Sequence, residues 1–248
     1  MMHRRSRMHR VFLRSFAVQG SWNFETLVGY GFAFALLPAL RVVYRGRPDA
    51  LAAAVGRHAR LFNTHPYLAP IALGAVARLE AEDTSPEVIE RFKAAVRGAL
   101  GGLGDQLVWA GWRPVCILGA LALFLAGAPW WSGLLAFLVV YNAGHLGLRL
   151  WAFQLGWKES TGIAATLRSS WIWDAERALR AIGPALLGAC AVLLAAGHAP
   201  VLERLPLDWL TIGAVAVALG VVAGGRVRRP VEAILLALIL IGFLWSGR

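Results

Sequence analysis

Two polar clusters interrupt apolar surroundings: Gln19-Gly20-Ser21-Trp22-Asn23-Phe24-Glu25 and Asn63-Thr64-His65-Pro66. The amides of Gln19, Asn23 and Asn63 carry donors and acceptors together, which is the chemistry that sugar hydroxyls require. Glu25 and Asp105 add acceptors, and Trp22 offers a flat face on which a sugar ring can stack. The same residues have plainer uses: Asn63 before Thr-His-Pro can simply stop a helix, and Glu25 can be held by an arginine. No paired carboxylates, cysteine–histidine cluster, serine triad, zinc spacing or EF-hand loop is present, so a self-contained catalytic centre is not expected. His58 and His65 lie about two helical turns apart in number, but Asn63 and Pro66 stop a helix from joining them, so no metal site is expected. Gly101-Gly102-Leu103-Gly104-Asp105 lacks the lysine and hydroxyl of a phosphate-binding loop and reads as a close-packed turn at a membrane surface, with Asp105 as a candidate lining group. No cofactor is implied.

The elements that must position these groups belong to a membrane. Of 248 residues, 58% are hydrophobic and 16% charged, with 11 tryptophans, an apolar excess that has no place in an ordinary soluble domain. The net charge of +11 comes largely from arginines flanking apolar segments, so it reads as topology and not as nucleic-acid binding. Arg4, Arg5, Arg7, Arg10 and Arg14 predict a cytoplasmic N-terminus, and Arg14, Gln19 and Asn23 break the apolar run that a secretory signal would need. Cys116 and Cys190 read as small buried hydrophobes.

The fold class expected is all-α: a polytopic integral membrane protein with broken or re-entrant helices and a cytoplasmic amphipathic helix. Residues 1–14 form a basic cytoplasmic N-terminus, 15–160 carry the motifs, and 161–248 supply C-terminal membrane helices, all within a single membrane domain. Spans are predicted at about 183–199, 209–224 and 231–246, and a hairpin at 115–128 and 133–148 turns at Pro129-Trp130-Trp131-Ser132. Arg226, Arg228 and Arg229, placed inside, send the last span outward. Residues 24–44 and 66–79 are apolar but interrupted by glycine, proline and Glu25, which suits helices that break at membrane depth beside a cavity. Ser85, Pro86 and Glu87 start an amphipathic helix running to about residue 100, and 164–182 reads as an interfacial helix.

Several blocks, taken in order, resemble the IID component of the mannose-type sugar phosphotransferase systems. They are Gln19 with Trp22-Asn23-Phe24-Glu25 and Gly29, Pro38, Tyr44, Arg57-His58, Phe62-Asn63-Thr64-His65-Pro66-Tyr67, Gly74 and Glu80. They continue with Leu103-Gly104-Asp105, Trp109, Arg113-Pro114, Tyr141-Asn142, Leu146, Arg149 and Leu155-Gly156-Trp157-Lys158. The resemblance runs from about residue 12 to 158; beyond 160 only the hydrophobic pattern agrees. It implies a non-catalytic subunit of the bacterial cytoplasmic membrane. Such a subunit pairs with a separate IIC membrane protein, assembles as an oligomer of IIC–IID pairs, and helps to translocate a hexose or amino sugar. Phosphate would reach the sugar through soluble carriers, IIA and then a histidine of the cytoplasmic IIB protein.

Placed on these motifs, Gln19, Asn23, Asn63, His65 and Asp105 are the candidate substrate-binding groups, facing the sugar path or the IIC interface. Arg57, Arg60 and the helix from 86 to 100 are candidates for docking IIB. Two rival readings stand beside this one: a IID-derived regulatory or scaffolding protein without transport, and a membrane-embedded enzyme using His65 and Asp105 on a lipid-linked substrate.

Overall fold

The computed structural model describes residues 2–197, with side chains from Met8 to Leu194. The expected spans at 209–224 and 231–246, the end of that at 183–199, and the basic loop of Arg226, Arg228 and Arg229 lie outside the described residues. The rest is helical, with isolated β-bridges as its only extended pairing among the described residues.

Helix α1 (Met2–Arg14) leads through a 3-10 turn, Ser15–Ala17, into an irregular stretch that ends where α2 (Gly29–Val43) begins. Helix α3 (Pro48–His58) carries a proline at its start, Asp49 in its first turn and Arg57 and His58 in its last, in line with helix-dipole preferences. A second irregular stretch leads to α4 (Ala69–Ala81). At 1.5 Å per residue, α2 and α4 span only about 22 and 20 Å, too short to cross a bilayer unaided. Irregular backbone precedes both helices, at 24–28 and 66–68, whereas Pro38 lies inside α2 and Pro70 in the first turn of α4 without interrupting either.

Helix α4 is the centre of the molecule's first compact unit, Met1–Ile117 with Leu134–Arg180. Its residues from Ala69 to Ala77 are buried without a break, as are Leu79 and Glu80. A helix apolar on every side must be enclosed. Its sequence, rich in alanine, also lets neighbours come close. Where α4 crosses a later helix, backbone meets backbone: a Cβ on Gly156 would lie 1.9 Å from the Ile71 carbonyl oxygen, and one on Gly74 2.5 Å from that of Phe153. Arg78 seals the crossing by donating to the carbonyls of Trp157 and Lys158.

Helix α5 (Pro86–Gly104) starts where Ser85 and Pro86 predict. It does not end in the expected turn. The backbone continues through a π-helical stretch, Asp105–Trp112, into α6 (Arg113–Leu125), giving one helical rod of 40 residues from Pro86 to Leu125. The glycines around 101–104 read as a turn because glycine is poor in helices; Gly104 is nonetheless helical, and its missing side chain makes room for His65. The expected hairpin follows, with α7 (Trp130–Glu159) running some ten residues beyond Arg149, the expected end of its apolar segment. The stretch expected as one interfacial helix at 164–182 is divided: α8 (Ile163–Arg168) stops, and α9 (Ile172–Gly197) starts after Ser169, Ser170 and Trp171.

The second unit comprises Leu118–Gly133 and the chain from Ala181 onward. Within it Cys190, a buried free thiol, donates to the Leu118 carbonyl at 3.4 Å; Cys116 of the first unit is likewise buried and free. Among the described residues, three helical segments are long and apolar enough to cross a membrane: Pro86–Leu125, Trp130–Arg168 and Ile172–Leu194.

The close crossing generates a direct test. Gly156→Ala is expected to lower thermal stability in mild detergent by about 1–3 kcal/mol, the usual cost of forcing volume into a packed contact. Gly147→Ala, at a position with no atom within 4 Å of the added methyl, should leave it unchanged.

Candidate functional site

The two polar clusters meet. Leu27 pairs with Asn23 on one side and with Phe62 on the other. The Val28 amide donates to the Phe62 carbonyl at 3.1 Å, and the Phe62 amide to Thr26 at 3.2 Å. Asn23 holds its own loop closed: Oδ1 accepts the amides of Glu25 at 3.0 Å and Thr26 at 2.8 Å, while Nδ2 donates to Thr26 Oγ1 at 2.8 Å and to the Ser21 carbonyl at 3.2 Å. Such Asx geometry is a common use of asparagine in irregular backbone. Leu27 takes a left-handed conformation, φ 53°, which a leucine adopts at some cost and which this pairing maintains.

The third segment joins through the next residues. Thr64 and His65 are buried against the end of α5, where a Cβ on Gly104 would sit 2.2 Å from the His65 Cβ. Only glycine allows that approach, and Asp105 follows it directly at the start of the π-helical stretch. Wide helical turns of this kind are frequent at functional sites. The loops at 19–28 and 59–68 and the α5 end thus form one contiguous region.

Beneath it lies a buried charge knot. Glu80 on α4, 2% exposed, receives Arg57 Nη2 at 2.6 Å, His58 Nε2 at 2.7 Å and the Tyr44 hydroxyl at 2.6 Å. Burial alone would push this carboxyl up. The hydrogen bonds from His58, Tyr44 and Arg57 override it and hold the carboxyl down at about 2. His58 moves the other way from a cation's usual response to a carboxylate, because burial lowers its pKa more than Glu80 raises it. A neutral imidazole donating through Nε2 accounts for both. Lys93 on α5 extends the knot by donating to the Arg57 carbonyl at 3.2 Å.

A second polar group sits inside α7. Arg149, 3% exposed, donates to Ser15 O at 3.0 Å, Ser15 Oγ at 3.3 Å and His145 Nε2 at 2.7 Å, and lies over the rings of Phe16 and Tyr67. It makes no ion pair among the described residues. It ties the chain at Ser15, just ahead of the first polar cluster, to α7. Tyr67 stacks on His145 with centroids 3.8 Å apart and shares a hydroxyl contact of 2.7 Å with Tyr141. Beside them is an apolar cavity of about 320 Å³, walled by Tyr67, Trp112, His145, Trp171 and Leu179 among others.

The five nominated residues stand in different relations to this region. Gln19, Asn63 and Asp105 are exposed, Asn23 is partly buried and engaged with its own loop, and His65 is buried. His65 Nδ1 accepts the Tyr67 amide at 3.2 Å, while Nε2 is sealed from solvent with no partner among the described residues. Burial, with Arg149 and His145 adding to it, lowers its pKa to about 4, so the ring is neutral. Arg57 is occupied by Glu80 and is not free to dock another protein, whereas Arg60 is exposed. Glu25 is exposed and makes no ion pair among the described residues. Sequence reasoning left Glu80 and Arg149 without a role. The available signal was an ionisable residue embedded in an apolar helix, which needs a partner to be there at all.

A short-helix core with paired polar loops and long apolar helices defines an all-helical membrane protein. A family model described as the mannose/fructose/sorbose family IID component of the PTS system matches residues 4–196, and the chain belongs to that family. The mannose-specific EIID component of Escherichia coli (strain K12) is 31% identical over 184 residues, 72% of this chain and 64% of the relative, so the match spans a little under two thirds of that protein. The fructose permease IID component of Bacillus subtilis (strain 168) is 27% identical over 261 residues, 96% of this chain and 94% of the relative. Among solved structures, the mannose transporter ManYZ in complex with microcin E492 matches with a TM-score of 0.59 and 30% identity over 74% of this chain and 68% of the other.

The charge knot sets an acid limit on stability. His58 and Glu80 both have folded pKa values below their unfolded ones, so each contributes stability that is lost on acidification, His58 as pH falls below about 6.5 and Glu80 as it falls from about 4.5 towards 2. Melting temperature in detergent should therefore decline from neutral pH downwards. Glu80→Ala, which strands Arg57 in a buried site, should cost about 3–5 kcal/mol and flatten the acidic part of that profile; an unchanged profile would contradict the assignment.

Proposed function

We propose that this chain is the IID membrane subunit of a mannose-type phosphotransferase system, pairing with a IIC subunit to form the path for a hexose or amino sugar. A cytoplasmic IIB protein, itself charged through IIA, phosphorylates the sugar as it emerges. The chain carries no phosphoryl group and has no activity alone. The family match over residues 4–196 carries this reading, supported by the meeting of three motif segments in one polar region. In this account the N-terminus and the α5 start lie on the cytoplasmic side of the inner membrane, α2 and α4 are the re-entrant arms, and pairs of IIC and IID assemble as oligomers.

Gln19, Asn63 and Asp105 present their polar groups towards the sugar path or the IIC surface. Asn23 and His65 act one layer behind, Asn23 by shaping its loop and His65 by supporting the second loop against Gly104. A hexose needs several donors and acceptors placed together, and exposed amides beside a carboxylate supply both. The regulatory and enzymatic alternatives draw no support from a specific contact: the histidine an enzyme would use is neutral and sealed behind the loop.

Membranes containing this chain, with and without its IIC subunit, should be supplied with the soluble carriers and phosphoenolpyruvate and assayed on labelled mannose, glucosamine and fructose. Sugar phosphate should form only when both membrane proteins are present. Formation without this chain would overturn the proposal. Asn63→Ala should slow the reaction several-fold without reducing the assembled complex; an equal rate would leave Asn63 as a turn residue.

A further inference from the structure

The first polar loop carries two aromatic rings that stay exposed among the described residues. Phe24 is 90% exposed and Trp22 is 49% exposed, and the two pack edge to face with centroids 4.9 Å apart. Around them stand Gln19, Ser21 and Glu25, all exposed, and the neighbouring loop contributes exposed Asn63. An apolar pair inside a polar rim is the arrangement of a binding anchor. The loop is also built to hold the pair still. Asn23, between the two rings, makes four hydrogen bonds, Leu27 is kept in its left-handed conformation, and the β-bridge to Phe62 fixes the base.

We infer that Trp22 and Phe24 form a rigid knob that inserts into a pocket on the partner membrane subunit. This rests on the pairing proposed above and adds its contact point. The alternative cover is lipid, and two features argue against it. The amide of Phe24 makes no hydrogen bond among the described residues, and an irregular backbone with an open donor is not tolerated against hydrocarbon; it is tolerated against protein or a water-filled cavity, and of these two only protein also gives the Phe24 and Trp22 rings an apolar cover. Lipid chains also adapt to any shape, so a fixed ring geometry gives no advantage there, whereas a preorganised side chain raises affinity for a shaped protein pocket. The charged Glu25 beside Phe24 further disfavours immersion.

The test is co-purification of the full-length chain with its IIC subunit after co-expression and mild solubilisation, comparing wild type with Trp22→Ser, Phe24→Ser and the double variant. The double variant should recover roughly tenfold less partner, the scale on which truncating a buried aromatic anchor acts, while its own amount in the membrane and its melting temperature stay unchanged. Benzoylphenylalanine placed at position 24 should, on illumination, give a covalent product with the partner. Equal partner recovery by the double variant, or photoproducts with lipid or a second copy of this chain alone, would overturn the knob while leaving the pairing intact. A wild-type chain that recovers no partner would overturn both.

Discussion

A buried carboxylate governs this architecture. Glu80 lies on a helix enclosed on every side, and an unpaired carboxylate there would be neutralised or expelled. Tyr44, Arg57 and His58 answer it from the end of α2 and from α3, while Lys93 of α5 holds the Arg57 carbonyl. Four parts of the chain are thereby fixed around one side chain, and the polar loops are the connections that this arrangement leaves over.

From that constraint the rest follows with little freedom. Once α2, α3 and α4 are locked, residues 19–28 and 59–68 must run side by side, and the Leu27–Phe62 pairing satisfies backbone groups that would otherwise face an apolar environment. The close crossing at Gly156 brings α7 onto α4, and Arg149 then reaches Ser15 to anchor the entry to the first loop. In a membrane, contacts of this kind replace the hydrophobic drive that lipid cannot supply between helices.

Much of this was legible in the sequence, and the failures have physical causes. The α5 start was readable because Ser85-Pro86-Glu87 specifies a helix beginning locally. The hairpin after residue 125 was readable because a polar, proline-containing break separates two apolar runs. The glycines at 101–104 misled because their local preference is for turns, whereas a tertiary contact with His65 requires Gly104 inside a helix. Arg149 reads as a boundary because an arginine usually ends an apolar run, and only the fold reveals Ser15, far away in sequence, as its partner. Among the candidate site residues, polar character singled out segments that the fold brings together. It did not separate Asn23 and His65, which support, from Gln19, Asn63 and Asp105, which are displayed, since burial is a property of the folded chain. Arg57 was offered as a docking group for the same reason: its partner Glu80 is 23 residues away.

The most direct test of the central claim is hydrogen exchange in the loops at 19–28 and 59–68, measured by mass spectrometry on the detergent-solubilised complex, for wild type and Glu80→Gln at neutral pH. Slow exchange of the Leu27, Val28 and Phe62 amides in wild type, lost in Glu80→Gln while α9 keeps its protection, is the result the account predicts. Equal protection of those amides in the two proteins would contradict it, because the loops would then be held without the buried carboxylate.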